Sequence, residues 1–379
     1  MSYFGDIYER AILPVSLQLI SLESRRRIRT IIDVLPKEYG LMTFGFECPL
    51  HEASADADFL VSSDVTNDGP SIMMHASAAG SEFPDSVFEK VREFGSYWKG
   101  VLSNKQSDPA PLIDDVWLEY DLIAHPESFP VPGIFFRTAS NIEKDGDALH
   151  LDVIVDFLCR TYFDVKKTYP STLLRRQLEA CVVSEGDNKN VKKSIYIGMM
   201  LSRKSSGLRL VVGFASSEAL LSFLRDSGWP GPLTFIKPFV DEWYQMVDMV
   251  TLNVDIGEDG LGIKLGFELS FNCRRPPERE PRWALLLDYL VEKGMCCPSK
   301  VQGLITYAGY EEYPGMQGIM AESSDMELLK DACRMFVVRK LFHIKVVYDG
   351  TPSLFAKGYL GVTPYFRRWD IFKEATSLP

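Results

Sequence analysis

The sequence predicts an α+β protein: a ten-stranded antiparallel β-barrel built from about five αββα repeats, with the helices on the outside. Three observations predict it. Ten segments carry apolar residues at every second position; these segments fall into pairs joined by short polar or Gly/Pro-containing links; and between pairs the apolar period lengthens to the helical one. An open sheet of ten strands would tend to curl or split and would leave two edges exposed, whereas closure removes the edges.

The first pair is "LMTFGFECPL" (Leu41–Leu50) with "DADFLVSS" (Asp56–Ser63), and the second is "DVWLEYDLIA" (Asp115–Ala124) with "PGIFFRTA" (Pro132–Ala139). The third joins "SIYIGMMLSR" (Ser194–Arg203) to "GLRLVVGF" (Gly207–Phe214) across Lys-Ser-Ser. In the fourth, "MVTLNVDIG" (Met249–Gly257) meets "GIKLGFELSFN" (Gly262–Asn272), where Ile263, Leu265, Phe267, Leu269 and Phe271 form one dry face. The fifth is "LFHIKVVYDG" (Leu341–Gly350) with "SLFAKGYLGV" (Ser353–Val362). Helices are expected over Val15–Leu35, Asp85–Leu102, Leu149–Lys167, Pro170–Val182, Ser217–Asp226, Trp283–Lys293 and Ser324–Arg339, with Ser216 or Ser217 as an N-cap and Pro170 at a helix start. Repeats of one supersecondary unit bury their apolar faces on one another, so residues 1–379 are expected to form a single domain. The alternative is two α+β domains that split at the polar "SEGDNKN", Ser184–Asn190.

Bulk composition narrows the function. At 46% hydrophobic and 25% charged the chain can build a large core, while a net charge of −11 and a pI near 5.1 argue against nucleic acid or an anionic membrane as partner. No apolar run is long enough to span a bilayer and the start lacks signal-peptide character, so a soluble cytoplasmic protein is expected. The seven cysteines lack CxxC spacing and the five histidines form neither HxxxH nor HExxH, so no disulfide frame and no metal site are expected. The oligomeric state is not readable.

If each strand turns its apolar set outward to the helices, the other set lines a lumen. That set comprises Thr43, Gly45 and Glu47; Trp117, Glu119 and Asp121; Tyr196, Gly198, Met200 and Ser202; Thr251, Asn253 and Asp255; and His343 and Lys345. The second strands add Phe135 and Arg137, Arg209 with Val211 and Gly213, Lys264 with Glu268, and Lys357 with Tyr359. Four successive hairpins thus each place a cation inside, and Lys345 is a fifth. Enclosed cations persist when carboxylates or a bound anion offset their charge. Glu119, Asp121, Asp255 and Glu268 are the available internal partners.

Ten strands in αββα order, with Arg and Lys turned inward and a K-x-Y strand near the end ("FAKGYLG"), resemble the aromatic prenyltransferases of the αββα-barrel (ABBA) type. The resemblance spans most of Leu41–Val362 and is architectural. It implies that Arg209, Lys264, Lys345 and Lys357 bind the diphosphate of an allylic isoprenoid, that Tyr359 shields the allyl cation, and that Glu47 or Glu119 is the acidic catalytic residue. Arg137, Trp117 and Tyr196 complete the candidate substrate-binding set, the aromatic faces stabilising the cation. With no DDxxD motif, lysine and arginine must neutralise the leaving group. No cofactor is expected beyond the allylic diphosphate as co-substrate. The implied activity is transfer of an isoprenoid to an aromatic or peptide substrate in natural-product biosynthesis or peptide modification. Its rivals are a cyclase-like enzyme of ribosomal-peptide maturation using the same chamber, and a non-catalytic peptide-binding scaffold.

Overall fold

A computed structural model describes residues 2–77, 85–103, 113–124, 130–138, 158, 191–202, 207–257, 260–272, 280–314 and 333–368. In chain order the helices are α1 (Tyr3–Ile12), α2 (Leu22–Val34), α3 (Gly69–Met74), α4 (Glu89–Ser103), α5 (Ser217–Asp226), α6 (Leu233–Met246), α7 (Arg282–Glu292) and α8 (Pro298–Ile305). The strands are β1 (Phe44–Pro49), β2 (Asp58–Asp64), β3 (Ile113–Tyr120), β4 (Gly133–Thr138), β5 (Val191–Met199), β6 (Leu208–Phe214), β7 (Met249–Gly257), β8 (Gly260–Ser270), β9 (Gly309–Tyr313), β10 (Cys333–Tyr348) and β11 (Leu354–Arg368).

Sequential antiparallel pairing runs from β1 to β8; β10 then pairs with β8 and β11, and β11 with β1, which closes a ten-stranded ring. The short β9 joins only the first half of β10, outside the ring. The ring thus follows the predicted hairpin order, and the apolar sets face outward. Phe44 and Phe46 meet Phe4 and Tyr8 of α1 and pack on Phe59, Trp243 of α6 packs on Phe267 at 5.1 Å, and Trp98 of α4 donates to the Ile113 carbonyl at 2.9 Å. This annulus of buried side chains between helices and barrel is the core. Helix starts carry the expected chemistry: Ser2, Ser21 and Ser216 each accept from a backbone N–H of the first turn. Among the described residues no helix is long and apolar enough to cross a membrane.

Several elements differ from expectation. The helix expected over Val15–Leu35 begins only at Leu22, because Ser21 caps there and the preceding residues turn. Cys333–Arg339, expected to end a helix, is strand: Met335, Val337 and Arg339 are buried at period two beside β9. Helix α6 was not anticipated because Pro238 lies inside it; the buried stripe Ile236, Val240 and Trp243 overrides the lost hydrogen bond. Helices α1, α3 and α8 and strand β9 were likewise not anticipated. The helices expected over Leu149–Lys167 and Pro170–Val182, and the linker at Ser184–Asn190, lie outside the described residues apart from Leu158.

Candidate active site in the barrel lumen

The lumen divides into two regions. Toward one end Trp117, Phe135, Tyr196, Met200 and Val211 pack together, and Phe342 meets Trp117 edge-on at 6.3 Å. A Cβ on Gly198 would fall 2.3 Å from the Phe135 ring, so glycine there lets the ring lie flat on β5. Toward the other end a cavity of about 280 Å³ opens, and it is lined by polar side chains.

The cavity has walls of opposite character. Arg209 from β6, Lys264 from β8, Lys345 from β10 and Lys357 from β11 line one side, and Glu47, Asp58, Glu119 and Asp121 from β1, β2 and the end of β3 line the other. Asp255 and Glu52 also border it, making six carboxyl groups to four cations. Such an excess of carboxyl groups in a confined space favours protons on some of them.

Most of these charges are engaged. Arg209 donates to both oxygens of Asp255 at 2.8 and 3.1 Å. Lys357 and the Tyr359 hydroxyl both donate to Glu47. Burial alone would raise the Glu47 carboxyl, but the charges of Lys357 and Lys345 and the Lys357 hydrogen bond hold it below its ordinary range. Lys345 is bound differently, donating to the neutral Asn253 Oδ1 at 2.7 Å, with the Glu268 carboxylate 4.0 Å away. Asn253 in turn donates to Glu268 at 2.9 Å. The Lys345 stem crosses β8 at Gly266, where a Cβ would fall 2.6 Å from Lys345 Cε. That glycine stands two residues after Lys264, so β8 has no side chain where β11 has Tyr359. Burial pushes the Lys345 ammonium below its ordinary pKa.

Glu119 is distinct. No hydrogen bond to its carboxylate is present among the described residues, and the side chain faces the cavity instead of bulk solvent. Burial pushes the carboxyl up to about 7, with Glu47 and Asp121 adding to the rise and Lys345 opposing it. It can therefore take or give a proton near neutrality. Asp58 was missing from the candidate set although it stands opposite Glu47 in the β1–β2 register; burial and then the Glu47 charge push it up to about 8.

The structure therefore gathers Glu47, Glu119, Arg209, Lys264, Lys345 and Lys357 around one cavity. It places Arg137, Trp117 and Tyr196 toward the opposite end: Arg137 is bound to Asp114 at 2.8 Å and lies 5.8 Å from the Tyr196 ring centroid, and Tyr196 donates to Asp115 at 2.7 Å. Tyr359 stacks on His343 at 4.1 Å, so one ring face is covered. Among the described residues no group of three or more His, Cys, Asp or Glu is placed to hold a metal ion.

No protein-family model matches the chain, and no curated protein matches it in sequence. Solved structures do resemble it. Prenyltransferase PriB, in a ternary complex with L-tryptophan and dimethylallyl thiolodiphosphate, is 10% identical at TM-score 0.47, over 95% of this chain and 96% of that one. The prenyltransferase NotF is 11% identical at TM-score 0.48, over 95% and 92% of the two chains. AnaPT from Neosartorya fischeri is 10% identical at TM-score 0.47, over 94% and 90%. The likeness is one of fold. The barrel itself rests on the closed ring of strand pairings described above.

Proposed function

We propose that the chain is a prenyl-transferring enzyme that binds an allylic diphosphate against the basic wall of the cavity and an aromatic or peptide acceptor against the acidic wall. The observation that carries this is the convergence of Arg209, Lys264, Lys345 and Lys357 on a cavity that also holds Glu119, a carboxylate with no hydrogen-bond partner among the described residues. In the reaction the allylic C–O bond breaks and its electron pair leaves on the diphosphate. The acceptor then supplies the pair that forms the new bond to the allyl carbon, and Glu119 takes the proton released by the acceptor. Preorganised cations in a confined site stabilise the departing charge, since a unit pair 4 Å apart is worth about 4 kcal/mol at an effective dielectric near 20. Lys345 contributes most on this account, because its closest acceptor is a neutral amide and its charge is not cancelled at contact.

A second reading is favoured by the Arg209–Asp255 and Lys357–Glu47 pairs, which offset two of the cations internally. On it the chamber binds a peptide and transfers nothing. Incubation with dimethylallyl, geranyl or farnesyl diphosphate and a panel of indoles, phenols and short peptides separates the two, with diphosphate release and the mass gain of the acceptor as readouts. The enzyme reading expects both, and expects Lys345→Met to reduce release by at least about tenfold, one lost charged contact being worth 1.5–3 kcal/mol. Binding of peptides with no release from any donor leaves the second reading.

A further inference from the structure

Glu47, Asp58 and Asp121 stand in a row across the acidic wall. Glu47 pairs with Asp58 between β1 and β2, and the Phe59–Tyr120 pairing sets Asp58 beside Asp121 at the end of β3. All three side chains face the cavity. Directly opposed side chains in an antiparallel sheet lie about 5 Å apart, and like charges there are destabilising.

The outer two are compensated. Glu47 accepts from Lys357 and Tyr359, and Asp121 accepts from Ser202 at 2.6 Å. Asp58 accepts only the Ile123 N–H, at 2.8 Å on Oδ1, among the described residues; no partner there reaches Oδ2. The fields acting on it come from several elements. Glu47 and Asp121 raise its pKa, Lys357 on β11 opposes them, and Glu119 stands one step along β3. Arg209 and Lys345 lie on the opposite wall. A proton on the middle member relieves both repulsions at once.

We infer that Asp58 is a neutral carboxylic acid whose Oδ2–H donates to a carbonyl oxygen of the acceptor, so that it selects amide- or peptide-bearing acceptors. The inference rests on the proposed prenyl transfer for the word acceptor; the protonation itself does not. A group titrating at about 8 is protonated at neutral pH and loses its donor above it, which makes the contact pH-dependent in a defined direction. Asp58 is a binding and positioning residue here: Glu119 keeps the role of proton acceptor.

The test compares N-acetyltryptophanamide with 3-methylindole, the same ring with and without carbonyl groups, by calorimetric titration from about pH 6 to about pH 9, a range spanning the expected titration. The wild-type protein is expected to prefer the amide about 10-fold at neutral pH. That preference should fade as pH passes about 8. Asp58→Asn keeps an oxygen for Ile123 and gains a permanent N–H donor, so it should hold the preference at every pH, whereas Asp58→Ala should lack it at every pH. A protonated-carboxyl band in the infrared difference spectrum of wild type minus Asp58→Asn at neutral pH, in which the Glu119 contribution cancels, reads the Asp58 proton without any ligand. No such band, equal affinity for the two probes, failure of both probes to bind, or Asp58→Asn behaving as Asp58→Ala would each overturn the inference. Absence of diphosphate release with the band and the probe preference intact would count against prenyl transfer alone.

Discussion

Glu119→Gln is expected to lower the rate of prenyl transfer by about 10²–10⁴-fold while leaving the affinity for dimethylallyl diphosphate unchanged. The amide matches the carboxylate in size and cannot accept the proton, and Glu119 stands on the wall opposite the basic side chains. The wild-type pH profile carries the second half of the prediction. Because burial raises Glu119 to about 7, the base form grows with pH, and the rate should climb tenfold per unit below about 7 and level off above it. The variant should show a low rate without that limb. Stability should move the other way. A carboxyl whose folded pKa is raised favours folding most below its ordinary value of 4.5, and that contribution is lost as pH rises through about 7. Glu119→Gln should therefore melt higher than wild type at pH 8 and show little difference at pH 4. Stopped-flow or steady-state rates together with thermal melts at the two pH values check both halves.

Lys357→Met is expected to destabilise the fold by about 1–3 kcal/mol, the cost of leaving the buried Glu47 carboxylate without a partner that itself keeps 25% of its side chain exposed. Glu47 is 9% exposed and stands beside Asp58, so without Lys357 its charge is met only by Tyr359 and the more distant Lys345. Adding Glu47→Gln to the same chain removes the stranded charge and should restore most of the loss, which separates charge from packing in a double-mutant cycle. The pH dependence has a fixed sign. The Glu47 carboxyl is held below its ordinary range, so the pair stabilises above that range and its contribution disappears as pH falls through the folded value. The deficit of Lys357→Met should therefore shrink in acid, as urea midpoints at neutral and acidic pH would show. A deficit independent of pH would instead point to lost packing of the lysine stem.

The five hairpins were legible because each strand keeps its apolar set on one face; Leu265, Phe267 and Leu269 alternate with Lys264, Gly266 and Glu268, and the first three are fully buried against the helices. The inward direction of the charged side chains followed from the same alternation. Their height along the barrel did not. Strand tilt and stagger decide which inward residues share a level, and neither is written in the spacing of one strand. Arg137 and Arg209 both point inward from second strands, yet Arg137 meets Asp114 and Tyr196 while Arg209 lines the cavity. Asp58 was overlooked for a simpler reason: "DADFLVSS" shows its apolar residues plainly, and only the pairing with Glu47 reveals what the alternate face holds. The end of the chain misled in another way. "CRMFVVRKLFHIKVVY" alternates on either side of the Leu341/His343 bulge but changes phase there, and its first half pairs with β9 outside the ring, so the expected five-hairpin count left that half to a helix.

Prenyl transfer requires the basic wall to accept an allylic diphosphate in competition with the carboxylates already there. Calorimetric titration of dimethylallyl diphosphate into the protein at low salt measures that competition directly. One site with micromolar affinity is predicted, weakened about tenfold or more by Lys345→Met and weakened progressively by added salt. No heat at millimolar donor, or binding indifferent to Lys345→Met, would contradict it.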